Sequence, residues 1–280
     1  MAIDYILTHQ CPVKQELDEQ AIIHLVKSKS RAEALLQRFM DQGMRREEAM
    51  NAKFGISTVK PSGESGVETV TVGSLFKQAE LLDDHRDACS GCPASGGRPF
   101  GCYDSINYPI SEAAEEWIAR MAAKAISAGM PNSILVQFIL DQNVTGEPFA
   151  KMRSSENTKY LEAEFPIEVE VETDENTPLL IDTNQLLEMF FAVGEMGDVH
   201  QQFLLFFTGG LTIQDQAPDM SKSGIEYQVA ELRNAEGPTR FWVFRMTDQL
   251  NDDRSIRQIK AFFRSVFLAQ CSQSTILLDY

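Results

Sequence analysis

Apolar positions along the chain recur at two spacings, near 3.6 and near 2, and together they predict a helix-rich α+β protein with short antiparallel strands. Residues 2–8 are apolar and β-leaning, a first strand closed by Pro12. From about Glu16 the period turns helical, with Leu17, Ala21, Ile22, Leu25 and Val26 on one face. Ser30-Arg-Ala-Glu33 fits a capping box, in which the Ser oxygen takes an amide and the Glu reaches back. A second helix is therefore expected through Ala32, Leu35, Leu36 and Phe39, stopping near Gly43. One continuous helix is the competing reading, because Ser28-Lys-Ser30 is a soft break. The β-branched runs 56–60 and 67–72 flank Pro61-Ser-Gly-Glu-Ser-Gly66 and read as a hairpin. A short helix from Ser74 to about Asp84 follows.

Tyr103 to Ile110 reads as extended, and Ser111 caps a helix opening Glu112-Ala-Ala-Glu-Glu116, its acids set against the positive end of the helix dipole. Asn132 to Gln142 is apolar on most sides and is expected to be buried. Residues 143–159 carry Gly, Pro, Ser and Asn without periodicity and mark an expected boundary. Two closely packed lobes, 1–145 and 146–280, follow from it, with one continuous domain as the alternative. From Leu161 to Glu172 apolar and acidic residues alternate almost strictly, the pattern of a half-buried strand, and Pro166 argues for an edge or a bend. Asp182-Thr-Asn-Gln185 opens a further helix. Another spans 198–208 and ends at Gly209-Gly210, and 214–224 is polar and loop-like. Strands are expected at 225–232 and 240–246, the second central because Phe241-Trp-Val-Phe244 is apolar on both faces. A last helix runs from about Asp253 to Ala269. It points Ile256, Ile259, Phe263 and Val266 inward and carries Arg254, Arg257, Lys260 and Arg264 on a face expected to be solvated.

Composition narrows the function classes. At 280 residues and 43% hydrophobic content the chain can bury a real core. A formal net charge of -16, with 41 acids against 25 bases, opposes general nucleic-acid binding, which needs clustered Lys and Arg. The longest apolar runs, such as Phe203-Leu-Leu-Phe-Phe207, are far too short to cross a bilayer, and the N-terminus has no signal-peptide pattern. The expectation is a soluble cytoplasmic protein that binds neither nucleic acid nor membrane and has a protein partner of unknown identity. The glutamate row along 162–172 fits the charged solvent face of an edge strand.

Chemistry concentrates in one stretch. His85, Cys89, Cys92 and Cys102 are separated by gaps of three, two and nine residues, and these three cysteines are most of the chain's five. An odd cysteine count with three in one knuckle points to a reducing compartment and a metal site rather than a disulfide framework. Thiolates and an imidazole at such spacing match a tetrahedral ion, so the first reading is a closed zinc site of three cysteines and one histidine, held between two helices and structural rather than catalytic. The Gly- and Pro-rich insert between Cys92 and Cys102 would take its order from the metal. Cys11 with His9 is the alternative source of a fourth ligand. The rival cofactor is an iron–sulfur cluster. His85-x3-Cys89-x2-Cys92 resembles the start of the His-ligated cluster motif of iron-only hydrogenases and of the large subunit of respiratory complex I. Those families continue with a cysteine after five residues, whereas here the gap is nine, so the resemblance covers eight residues. Cys92-Pro93 is similar to the ferredoxin cysteines followed by proline. Without a metal, the knuckle reduces to buried apolar thiols, or to a redox-active Cys-x2-Cys pair with a bystander. Arg98 is the basic group expected nearest the site.

Catalytic signatures are missing from the sequence: no nucleophile elbow, phosphate-binding glycine loop or His-Glu-x-x-His. His24 and His200 read as surface or packed histidines. The sequence thus points first to a zinc-stapled binding or adaptor protein. An iron–sulfur redox or sensor protein using the same residues comes second, and an enzyme with an unrecognised site and a structural metal third.

Overall fold

The computed structural model describes the chain except for Met1 and residues 60–64, 96–97, 128–131, 156–160, 172–178, 192–193, 215, 217–227, 233–239, 245 and 280. In chain order the elements are β1 (Ala2–Leu7), α1 (Pro12–Glu16), α2 (Glu19–Asp41), α3 (Arg46–Asn51), β2 (Lys53–Val59), β3 (Ser65–Thr71) and α4 (Val72–Ala79). A 3-10 helix (Glu80–His85), α5 (Arg86–Ser90), a short 3-10 turn (Pro93–Ser95), β4 (Tyr103–Asn107), α6 (Glu112–Ser127), α7 (Asn132–Asp141) and α8 (Glu147–Arg153) come next. The chain continues through β5 (Glu168–Val171), β6 (Leu179–Asp182), α9 (Thr183–Phe191), β7 (Glu195–Met196), α10 (Asp198–Phe207) and β8 (Leu211–Gln214). It closes with β9 (Gln228–Leu232), β10 (Arg240–Phe244), α11 (Arg254–Cys271) and β11 (Ile276–Asp279). The fold is α+β, rich in helix, and its registered strand pairs are short and antiparallel. It divides into two compact units, residues 10–103 and residues 1–9 with 104–280. The boundary expected near 145 falls inside the second of these.

The 10–103 unit is built on α2. Asp18 caps it, accepting from the Ala21 N–H at 2.7 Å. The helix runs unbroken through Ser28-Lys-Ser30, so the expected break at Ser30 gives way to the continuous alternative. Serine is only mildly unfavourable inside a helix, and the buried stripe of Ile22, Leu25, Ala32 and Leu36 passes straight through it. Ala32 and Leu36 pack with Ala49, Val72 and Leu75, while Leu25 packs with Ala79 and Leu82. The β2–β3 hairpin has the expected position, pairing Lys53 with Thr71 and Val59 with Ser65. Thr71 and Ser74 cap α4 reciprocally.

The larger unit holds a sheet in the order β4-β1-β11-β7 and a second in the order β8-β10-β9, with β10 central as its apolar faces predict. Its core is aromatic. Phe262 meets Tyr5 edge-on at 5.0 Å and Phe191 at 5.2 Å, and Phe263 meets Phe190 at 5.3 Å. The predicted Ser111 cap is in place, and the helix starts read at Asp182 and Asp253 are caps as well. Gln185 and Asp182 exchange backbone-to-side-chain bonds at the start of α9. Ser111, at the head of α6, bonds through its hydroxyl to Asp253, which caps α11.

Four expectations for this unit need correcting. The strand read from 161 to 172 survives only as β5; Leu161, Ala163 and Val169 are buried, but Phe165 is 72% exposed, because the chain bends before Pro166. Helix α7 buries only one side, leaving Ile134 and Leu140 exposed. Residues 143–159 are not all loop, since α8 lies within them. Lys260 is not solvated: its ammonium sits 2.5 Å from Asp252, 2.9 Å from the Thr247 carbonyl and 5.8 Å from the Trp117 ring. The predicted 214–224 loop lies mostly outside the described residues.

Candidate metal centre

The knuckle belongs wholly to the 10–103 unit. Cys89 sits in α5, and the chain then turns back in three linked steps: the Ser95, Arg98 and Gly101 N–H groups donate to the Cys92, Ser95 and Arg98 carbonyls at 3.0, 3.2 and 3.0 Å. These turns return Cys102 towards Cys89. Gly101 is required at the tightest point, since a Cβ there would lie 1.8 Å from the Ser95 carbonyl oxygen. Phe100 adopts a φ of 56°, in the left-handed region that non-glycine residues seldom occupy, and its N–H donates to Cys89 Sγ at 2.9 Å.

A fourth thiol joins from the start of the unit. Cys11 precedes α1, which packs against α5, and its side chain takes no part in capping the helix. Cys11, Cys92 and Cys102 lie close enough to Cys89 to act on one another electrostatically. Cys89 and Cys102 are buried. Burial pushes the Cys102 thiol up to about 11, with the other thiols adding to the rise and Lys14 opposing it. Burial likewise raises Cys89, against the Phe100 N–H. Raised in this way, the Cys89 and Cys102 thiols hold their protons and are poor nucleophiles. Cys271, the fifth cysteine, lies in the other unit at the end of α11.

The charged surroundings differ from the expectation. Arg98 is exposed on the insert, whereas Lys14 of α1 buries its side chain to 2% exposure, with its ammonium 3.7 Å from Glu19, and acts on both Cys89 and Cys102. His85 directs Nε2 to Glu16 at 3.8 Å. His9 belongs to the other unit. Cysteines 89, 92 and 102 share this unit, and Cys89 and Cys92 each add to the rise in the Cys102 thiol. Neither Lys14 nor the Phe100 amide carries a spacing or motif that marks it in the sequence. Among the described residues, no three Cys, His, Asp or Glu side chains converge at the spacing of a single bound ion.

Two further clefts open on the surface. A shallow cleft of about 460 Å³ lies in the larger unit between Glu116 and Arg120 of α6 and the 167–170 backbone. One of about 520 Å³ in the 10–103 unit is lined by Arg31, Leu35 and Arg38 of α2 and Phe54 and Ile56 of β2, a basic and apolar face on an acidic chain. Within the larger unit, His200 is packed, with Nε2 donating to the Met189 carbonyl at 2.8 Å and the ring edge-on to Phe138. Among the described residues no helix is long and apolar enough to cross a membrane. No protein-family model, curated protein or solved structure matches this chain.

Proposed function

We propose that the 10–103 unit is a metal–thiolate module and that the chain is a binding or adaptor protein stapled by it, with Cys89, Cys92 and Cys102 as ligands and zinc as the ion. One observation carries this reading: thiols from two segments distant in sequence, Cys11 and residues 89–102, act on one another beside the buried side chain of Lys14. Thiolates are borderline-soft donors that suit zinc, and a fully protein-ligated zinc stabilises a fold rather than turning over a substrate. An acidic, apolar segment of a protein partner would suit the cleft of Arg31, Arg38, Leu35, Phe54 and Ile56.

An iron–sulfur centre is the second reading. A four-iron cube spreads its cysteine ligands wider than one ion does. The thiols here sense one another without the convergence that a single ion imposes. The Phe100 N–H on Cys89 is the kind of sulfur hydrogen bond that tunes such a cluster. Elemental analysis and an absorbance spectrum of anaerobically purified protein test both readings. One zinc per chain in a colourless sample supports the staple. Iron with sulfide and visible absorbance replaces it with the second reading, and a metal-free chain overturns both.

A further inference from the structure

Resting on the binding-protein half of that reading and not on its metal, we infer that the cleft between α2 and β2 receives residues 162–165 of a second copy of this chain. Phe165 is the apolar anchor, and Glu162 and Glu164 meet Arg31 and Arg38. One surface of the contact is a peg. Its backbone is fixed on both sides of Phe165. The Glu162 N–H donates to the Ile110 carbonyl at 3.2 Å, and Arg153 donates to the Ala163 carbonyl. Beyond the bend, the Ile167 N–H donates to the Thr183 hydroxyl at 3.0 Å, and its carbonyl accepts from the Thr183 N–H at 2.9 Å. Between these ties Phe165 stands 72% exposed, with Glu162 and Glu164 exposed beside it. A ring held out on a braced bend has little backbone freedom left to lose on docking, and a lone exposed aromatic is the residue type that anchors interfaces.

The cleft is the matching socket. Arg31, Leu35 and Arg38 lie on one stripe of α2, the two arginines two helical turns, or about 10 Å, apart along the axis with Leu35 between them. Phe54 and Ile56 of β2 form the facing wall, and the volume of about 520 Å³ has room for a phenyl ring. Both arginines are exposed, and among the described residues neither pairs with a carboxylate. On a chain of net charge -16, most of the surface of one copy repels that of another. A basic and apolar cleft reverses that sign locally, and what complements it is a segment both acidic and apolar. The 162–165 stretch has that chemistry, already presented outward. Charge and apolar character therefore match on both sides of the contact.

The test is sedimentation velocity of the full chain, with reductant, from about 1 to 100 μM, the range of weak reversible contacts. The wild-type mass should rise with concentration, and less so in high salt. Phe165→Ser, the pair Arg31→Glu with Arg38→Glu, and the pair Glu162→Lys with Glu164→Lys should each weaken association at least about tenfold, as loss of a central anchor does. Circular dichroism should not change, because these side chains are exposed. Mixing the two charge-reversed proteins sets opposite charges in cleft and peg again, and should restore association that neither shows alone. A wild type that stays monomeric throughout, association that survives the substitutions, or a mixture that restores nothing overturns the inference. Each of those outcomes leaves the metal reading standing, since elemental analysis decides it separately.

Discussion

The aromatic core of the larger unit and the thiol knuckle of the 10–103 unit are held together in opposite ways. In the first, Tyr5, Phe190, Phe191, Phe262 and Phe263 are essentially inaccessible to water and meet in edge-on pairs, so burial and ring packing hold strands and helices that are far apart in sequence. In the second, α5 is five residues long, the insert that follows is a chain of turns, and the groups at its centre are cysteines and a lysine. Short turns have little apolar surface to set against the entropy of ordering them, and here Phe100 packs against Leu25, Ala79 and Leu82. On the metal–thiolate reading proposed above, a cross-link supplies its order. On that reading, side-chain volume specifies one region and donor chemistry the other, and each should fail under a different perturbation.

The largest expected effect is metal removal. Structural zinc contributes an apparent binding free energy of about 10 kcal/mol or more in small domains. Chelation should therefore raise amide exchange across α1 and residues 86–102, while α9 and α11 keep their protection. Hydrogen-exchange mass spectrometry reads this directly. An equal rise in both regions, or none in either, would break the comparison. Phe263→Ala is the reciprocal probe. Removing a fully buried phenyl ring costs about 3–5 kcal/mol. Chemical denaturation should show that loss in the larger unit, with metal content unchanged. A drop in bound metal matching the loss of stability would mean that the two regions are not separately held.

What was legible in the sequence follows the same line. Helix α6, α9 and α11 could be read because Ser111, Asp182 and Asp253 are local caps, and their apolar stripes repeat within a few residues. The hairpin of β2 and β3 could be read for the same reason. β11 could not: Ile276-Leu-Leu-Asp279 is too short for a period to show, and its partner β1 lies at the far end of the chain. Helix α8 hid in a Gly-, Pro- and Ser-rich stretch, where Gly146 at a left-handed φ of 76° and Pro148 in the first turn start it without an apolar run. At the site, the three knuckle cysteines declared themselves by spacing. Cys11 was read there as an alternative fourth ligand, but Lys14 was not, because only the packing of α1 on α5 brings it near the thiols. The Lys260–Asp252 pair was missed likewise, a lysine on a nominally polar face being drawn inward by partners outside its helix.

A smaller effect sharpens the contrast, through acid. His200 packs in the aromatic unit against Phe138, and burial lowers its pKa to about 4, against the pull of its bond to the Met189 carbonyl. In the unfolded chain the imidazole takes up its proton near pH 6.5. Between those values the unfolded state binds more protons than the native one, so stability falls as pH drops. At about 1.4 kcal/mol per pKa unit, the full loss approaches about 3 kcal/mol near pH 4. His200→Gln, which keeps an N–H donor for Met189 but does not titrate, should flatten the slope between pH 6.5 and 4.5 in denaturation of the larger unit. Carboxylates shared by both proteins cancel in that comparison. Identical slopes would show that the His200 ring is not held neutral by burial, and that this core admits charge more readily than its packing implies.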